Sequence, residues 1–350
     1  MEHISSRCLA QAFFGRYHQL PAVMENARYA YSRALRMVRE MMEARESLHQ
    51  TTLMLTILTL AVFESVVGTS TTAWIMHTQG LSQIIQLRGP KTFHQLPMSA
   101  MFEIGRSFIL AEGILNRHKI FLEDEQWIPR QPTVRGRPMK SQLFDILCAI
   151  PSLLADLDAH EIATRPINYG LRTKIIRILD SLFEWRWRWE HMHGGHAYEV
   201  VTDSNLPLNL DEHGQPLFPT VVYFSDQLLA SDIAHYDGAL AYVLRIAQAV
   251  LGDNWPSYMN AGGPPNASEA TTSILLLPPD VRSAADVTQE LFRLMEFHFS
   301  GEPTVSSDAF RLLFPISLAG KGLRRDSDEE RLIRRVRVRW LTFPALVCLT

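Results

Sequence analysis

"TTAWIMHTQGLSQIIQLRGP", residues Thr71 to Pro90, decides the fold class. Trp74, His77, Leu81, Ile84 and Ile85 recur at spacings of three and four, the period of an amphipathic α-helix. Gly89-Pro90 sets its end, because glycine suits the left-handed position after a helix and proline cannot extend the ladder. Two features inside the helix need an explanation. His77 stands on the apolar face one turn after Trp74, and Gly80 lies mid-helix, where glycine costs about 1 kcal/mol relative to alanine. The expectation is a packing device: Gly80 admits a neighbouring helix, and His77 bonds to a buried partner, since buried polar groups need partners.

The same period extends outward in both directions. Pro21 to Arg45 places Tyr31, Leu35, Val38 and Met42 on one face, with Arg33, Arg36, Arg39 and Glu40 towards solvent. Thr51 to Phe63 carries no charge for 13 residues, shorter than the roughly 20 that a membrane span needs, and reads as a buried core helix. Further helices are expected over 98–119, 141–159 (interrupted at Pro151), 167–191, 220–251, 280–300, 306–319 and 326–341. The stretch 126–140 holds three prolines and reads as a loop, as do the polar segments 193–219 and 252–270. No run alternates with period two. The expected fold is all-α, a single large helical domain of about ten helices with two long loops over residues 1–350.

Composition narrows the function classes. The 350 residues are 47% hydrophobic and 20% charged, as in globular chains with a sizeable core. With 34 basic and 37 acidic residues the net charge is −3, which gives no global attraction to nucleic acid or to an anionic membrane. Cys8, Cys148 and Cys348 are odd in number and far apart, which argues against a disulfide framework and fits a reducing compartment. The first residues lack the apolar run of a signal peptide, so the sequon at Asn266 reads as chance.

Chemistry-bearing patterns are sparse. There is no GxSxG, HExxH, P-loop or GxGxxG, so no cofactor and no catalytic set is assigned. His191, His193 and His196 have spacings that do not share a helical face, and no metal site is expected there. In "FEWRWRWE", Trp185 and Trp189 share a face with Leu182 and read as core, while Trp187 reads as partly exposed beside arginine stems. The arginines of "ERLIRRVRVRW", Glu330 to Trp340, read as the solvated side of a helix. Ser231, Asp232, His235 and Asp237 share one helix; Ser231 and His235, one turn apart, read as local helix bonding rather than a triad. Trp74, His77, His235 and Asp237 are the candidate ligand contacts, because a polar cluster in a helical core is where a small-molecule pocket can form.

The segment "AWIMHTQGLSQIIQLRGP" resembles the signature of the fungal-specific transcription factor domain, the helical region downstream of the DNA-binding head in fungal zinc binuclear-cluster regulators. Trp74, His77, Gly80, Leu81, Ile84, Ile85, Arg88, Gly89 and Pro90 match in place. "ARYAYSRALRMVREMM", "TLMLTILTLAVFES" ending near Glu64, and "AFRLLFPISLAG" with Phe314-Pro315 resemble further segments of that family in the expected order, over roughly 29–320. The family's head holds two zinc ions with six closely spaced cysteines; three scattered cysteines cannot, so DNA recognition by that mechanism is not expected of these 350 residues. The resemblance implies a nuclear or nucleocytoplasmic regulator that acts through protein partners or a homodimer and a small-molecule effector, with secondary-metabolite genes among its targets. The alternative is a helical domain repurposed as an enzyme of the cyclase or isomerase type, with His77, His235 or Asp237 as acid/base groups.

Overall fold

The computed structural model describes residues 2–43, 51–70, 72–128, 137–163, 169–202, 210, 213–252, 255–258, 273–299, 307–321, 323, 330–331 and 333–334. Cys348, the Asn266 sequon and most of the arginine-rich stretch 330–340 lie outside them. The chain divides into two compact units, Met1–Val134 with Leu341–Leu349, and Arg135–Trp340 with Thr350. The break falls inside the proline-bearing stretch 126–140, and no shift in composition announces it. Among the described residues the molecule is all-α apart from one small two-stranded sheet.

Unit 1 contains α1 (Glu2–Tyr17), α2 (Pro21–Glu43), α3 (Thr51–Val67), α4 (Ala73–Arg88) and α5 (Met98–Leu115). The uncharged α3 is its central element, with Leu53, Met54, Ile57, Leu60, Ala61 and Phe63 all buried, and α1, α2, α4 and α5 pack on it. Helix α4 ends as its sequence requires: Gly89 adopts φ 72° and its N–H bonds back to the carbonyls of Ile85 and Gln86. The buried stripe of α1 is Ser5, Cys8, Ala12 and Gly15, at helical spacing but made of small residues. Such a stripe brings backbones close: a Cβ on Gly15 would lie 3.1 Å from the backbone nitrogen of Met24.

The expectation for Gly80 is corrected. Nothing lies within 4 Å of where its Cβ would sit, so no neighbouring helix uses that gap. The close approach to α4 is made from the other side, by Gly105 of α5, whose Cβ would meet Leu81 Cδ2 at 3.2 Å and Ile85 Cδ1 at 3.3 Å. The small residue stands on the partner helix, and α4 presents the large ones.

Unit 2 contains α6 (Met139–Leu147), α7 (Ile150–Ala163), α8 (Tyr169–His193), β1 (Ala197–Val201), β2 (Thr220–Phe224), α9 (Gln227–Leu251), α10 (Ala284–Phe299) and α11 (Ser307–Gly320). Pro151 stands in the first turn of α7, where a missing N–H is tolerated. Residues 220–224, expected as the start of a long helix, instead pair antiparallel with β1, Ala197 opposite Phe224 and Val201 opposite Thr220. "TVVYF" is β-branched and aromatic, which suits a pleated edge packed on one face. The helix proper begins after Asp226, whose carboxylate accepts the Leu228 N–H at 2.6 Å. Helix α9 is the hub, with α8, α10 and α11 packed around it. At Gly238 a Cβ would fall 2.5 Å from the Pro315 carbonyl oxygen, so α9 and α11 touch backbone to backbone.

Candidate functional site

In unit 1, four helices bring polar side chains to one buried point. Tyr31 of α2 is 8% exposed and stacks on Phe63 of α3, with ring centroids 4.6 Å apart. Its hydroxyl lies 2.9 Å from His77 Nε2 of α4. Glu64, near the end of α3, accepts the Thr69 N–H at 2.9 Å and the Thr69 hydroxyl at 2.7 Å. Cys8 of α1 closes the cluster, donating towards the Ala27 carbonyl at 3.4 Å. Burial lowers the His77 pKa, and the opposing pull of Glu64 is smaller. Burial first, then Glu64, raises the Tyr31 phenol and pushes the Cys8 thiol up to about 12. The thiol is therefore inert and the ring of His77 is kept neutral. His77 has the buried partner its position called for. Trp74, one turn away, is buried, and its Nε1 has no hydrogen-bond partner among the described residues.

In unit 2 the polar residues of the core gather between α8, α9 and α10. Arg186, fully buried, donates to Glu190 at 2.7 Å. Its guanidinium also lies over the Trp189 ring, 5.3 Å from the centroid. Asp237 of α9 is fully buried and neither carboxylate oxygen has a partner among the described residues. Glu290 of α10 accepts the Leu276 N–H at 2.5 Å through Oε2 and leaves Oε1 without one. Tyr236, stacked on Trp185 with centroids 5.4 Å apart, has a hydroxyl without a hydrogen-bond partner among the described residues. Burial raises Asp237 well above the usual carboxylate range, Glu290 adds to this, and Arg186 opposes. Burial likewise carries Glu290 up to about 7 against the pull of Arg186. Both carboxyls bind a proton more tightly in the folded chain than in water.

The four sequence candidates thus fall into two sets. Trp74 and His77 belong to unit 1, and His235 and Asp237 to unit 2. Those last two share a helix but face different ways. His235 lies against Phe144 and Phe314, centroids 5.5 and 6.1 Å away, and its Nδ1 sits 2.6 Å from the Ser231 carbonyl one turn back. Local helix bonding is what the spacing predicts. Lys140 donates to the Ser231 hydroxyl at 3.0 Å. Trp187, expected partly exposed, is 8% exposed. Arg186 is buried outright, although the sequence reads its stem as lying beside a partly exposed Trp187. Its spacing of four from Leu182 and from Glu190 is the signal that places it on the core face. Glu290, between Val287 and Leu291 at helical spacing, carries the same signal. Among the described residues, no group of three or more His, Cys, Asp and Glu is placed to hold a metal ion, and no helix is long and apolar enough to cross a membrane.

Comparison with known proteins bears on unit 1. Residues 4–112 match the fungal-specific transcription factor domain. An uncharacterized protein of Emericella nidulans is 26% identical over 121 residues, which is 35% of this chain and 26% of that protein. The chain therefore spans about a quarter of the length of that curated relative in the matched region. No solved structure matches. The matched span runs from α1 to the last turns of α5 and contains the whole Tyr31, Glu64 and His77 cluster.

Proposed function

We propose that this chain, which carries the fungal-specific transcription factor domain over residues 4–112, is a regulator of transcription in a fungus. It works in the nucleus through protein partners, a second copy of itself among them, and answers to a small-molecule effector. These 350 residues reach DNA through a partner rather than by themselves, in keeping with the net charge of −3. Genes of secondary metabolism are the proposed targets. The observation that carries the reading is that matched segment, whose signature residues His77, Tyr31 and Glu64 converge from three helices.

The test is a tethering experiment. The chain is fused to an unrelated DNA-binding domain in a filamentous fungus, and a reporter carrying that domain's operator is read alongside the fluorescence of a tagged chain. The expected result is nuclear signal and a reporter level changed several-fold in either direction. Exclusion from the nucleus together with an unchanged reporter would overturn the reading. Transcript profiling of a deletion strain tests the target genes. The enzymatic alternative gains no support from His235, which bonds to its own helix, or from Asp237, which is fully buried.

A further inference from the structure

We propose that the cleft between α4, α5 and the segment that follows α5 binds a small zwitterion of the α-amino-acid class. This rests on the regulatory reading and names the chemistry of the effector. The cleft has a volume of about 380 Å³, at the lower end of the 300–1,000 Å³ typical of small-molecule sites. Its lining is ordered by charge. Glu112, 4% exposed, supplies a carboxylate from within. Oε1 is engaged by Gln79 Nε2 at 3.2 Å and Asn116 Nδ2 at 2.8 Å, which fix the carboxylate in place. Oε2 faces His118 Nε2 at 3.4 Å, longer than a charge-assisted hydrogen bond of about 2.7–2.9 Å. That oxygen can accept from an ammonium group.

Lys119 brings the opposite sign to the exposed rim of the lining. Lys119 is 63% exposed, and its ammonium is 3.8 Å from Asp124, beyond direct hydrogen bonding. His118 lies beside it, half exposed. Ile109 and Phe121 supply apolar wall. The buried Glu112 carboxylate, the Lys119 ammonium at the exposed rim and the apolar wall of Ile109 and Phe121 complement an ammonium, a carboxylate and an apolar side chain on one small molecule. A plain amine would give Lys119 no counter-charge beyond Asp124, and a plain carboxylic acid would meet Glu112.

The purified full chain is titrated calorimetrically with L-leucine and L-phenylalanine. 2-Hydroxy-4-methylpentanoate, which lacks the ammonium, and 3-methylbutylamine, which lacks the carboxylate, serve as controls. The expected result is saturable binding of at least one amino acid, with each control at least about tenfold weaker, the loss of one charge-assisted contact. Lys119→Ala, an exposed change that leaves the core intact, weakens amino-acid binding to a similar extent. Glu112→Gln does the same, with its fold checked by circular dichroism. No binding of either amino acid at millimolar concentration, or binding that Lys119→Ala leaves unchanged, would overturn the assignment. The tethered reporter separates the two failures. A responsive reporter with no amino-acid binding removes the cleft's role alone, whereas binding with a silent reporter and exclusion from the nucleus leaves the cleft assigned and removes the regulatory reading.

Discussion

Glu64 in unit 1 and Glu290 in unit 2 are both glutamates inside a helical core, 1% and 3% exposed. Glu64 receives two hydrogen bonds from Thr69, a residue just beyond its own helix. Glu290 receives one, from the Leu276 N–H, and shares its surroundings with a second buried carboxyl, Asp237. The first belongs to a cluster whose groups close on one another, Tyr31 on His77 and Glu64 on Thr69. The second belongs to a cluster in which the buried Arg186 faces three acidic side chains, Glu190, Asp237 and Glu290, with a weaker pull on Glu290 from Arg293. Buried charge needs a partner or a proton. Unit 1 uses partners, whereas in unit 2 burial raises the two carboxyls that Arg186 does not pair and favours their protonated form. A polar core therefore acts as a fixed joint in one unit and as a titrating element in the other.

The largest expected effect comes from removing Arg186, the fully buried cation of the unit 2 cluster. Arg186→Met leaves Glu190 buried without its partner and raises the cost of any ionised neighbour. Loss of one partner of a buried pair costs about 3–5 kcal/mol. Denaturant unfolding followed by tryptophan fluorescence, with Trp185 and Trp189 in the same core, should show that drop. Unchanged stability would mean that the carboxyls do not lean on the guanidinium, and the contrast between the units would fail.

In unit 1 the corresponding change is milder. Tyr31→Phe removes the hydroxyl's contacts with His77 and Glu64 but keeps the stacking on Phe63. The expected loss is about 1 kcal/mol, since His77 is only half buried and can turn to water. A loss as large as that of Arg186→Met would show that this cluster is as exposed to failure as the other. The smallest effect is of opposite sign. Gly80→Ala meets open space, so it should stabilise the helix by about 1 kcal/mol, as a higher melting temperature. A lower one would restore the close approach that the sequence suggests at this position.

Much of this was legible in the residues. The helices of unit 1 follow from apolar period and from stops such as Gly89-Pro90. Helix α1 was not, because its buried stripe of Ser5, Cys8, Ala12 and Gly15 is small rather than hydrophobic, and hydropathy does not register closeness of backbones. The strands escaped because five residues each are too few to show alternation, and the second runs almost directly into α9. His77 was legible as a polar residue on an apolar face, though its partner on α2 was not, since spacing within one helix says nothing about which neighbour faces it. Asp237 was legible as a residue of interest, but its companions Arg186 and Glu290 come from separate helices. Only their packing joins the three.

The two clusters should answer to pH in opposite directions, and that is the most direct test. Glu290 carries a folded pKa of about 7 against an ordinary 4.5, so the folded state holds the proton more tightly. Its stabilising contribution is complete below pH 4.5 and is lost as pH rises through 7. Asp237, raised well above its ordinary value, and Asp232, pushed up to about 7 by burial, add in the same direction. His77 is lowered, so its contribution is present above its ordinary 6.5 and is lost on acidification. Amide hydrogen exchange at pH 5 and pH 8, corrected for intrinsic rates, reads both units in one sample. The expected result is that α9 and α10 lose protection from pH 5 to pH 8 while α3 and α4 hold or gain it, and that Glu290→Gln removes its share of the loss in unit 2. Protection that falls in both units alike, or a slope in α9 that Glu290→Gln leaves unchanged, would contradict a proton-held core in unit 2.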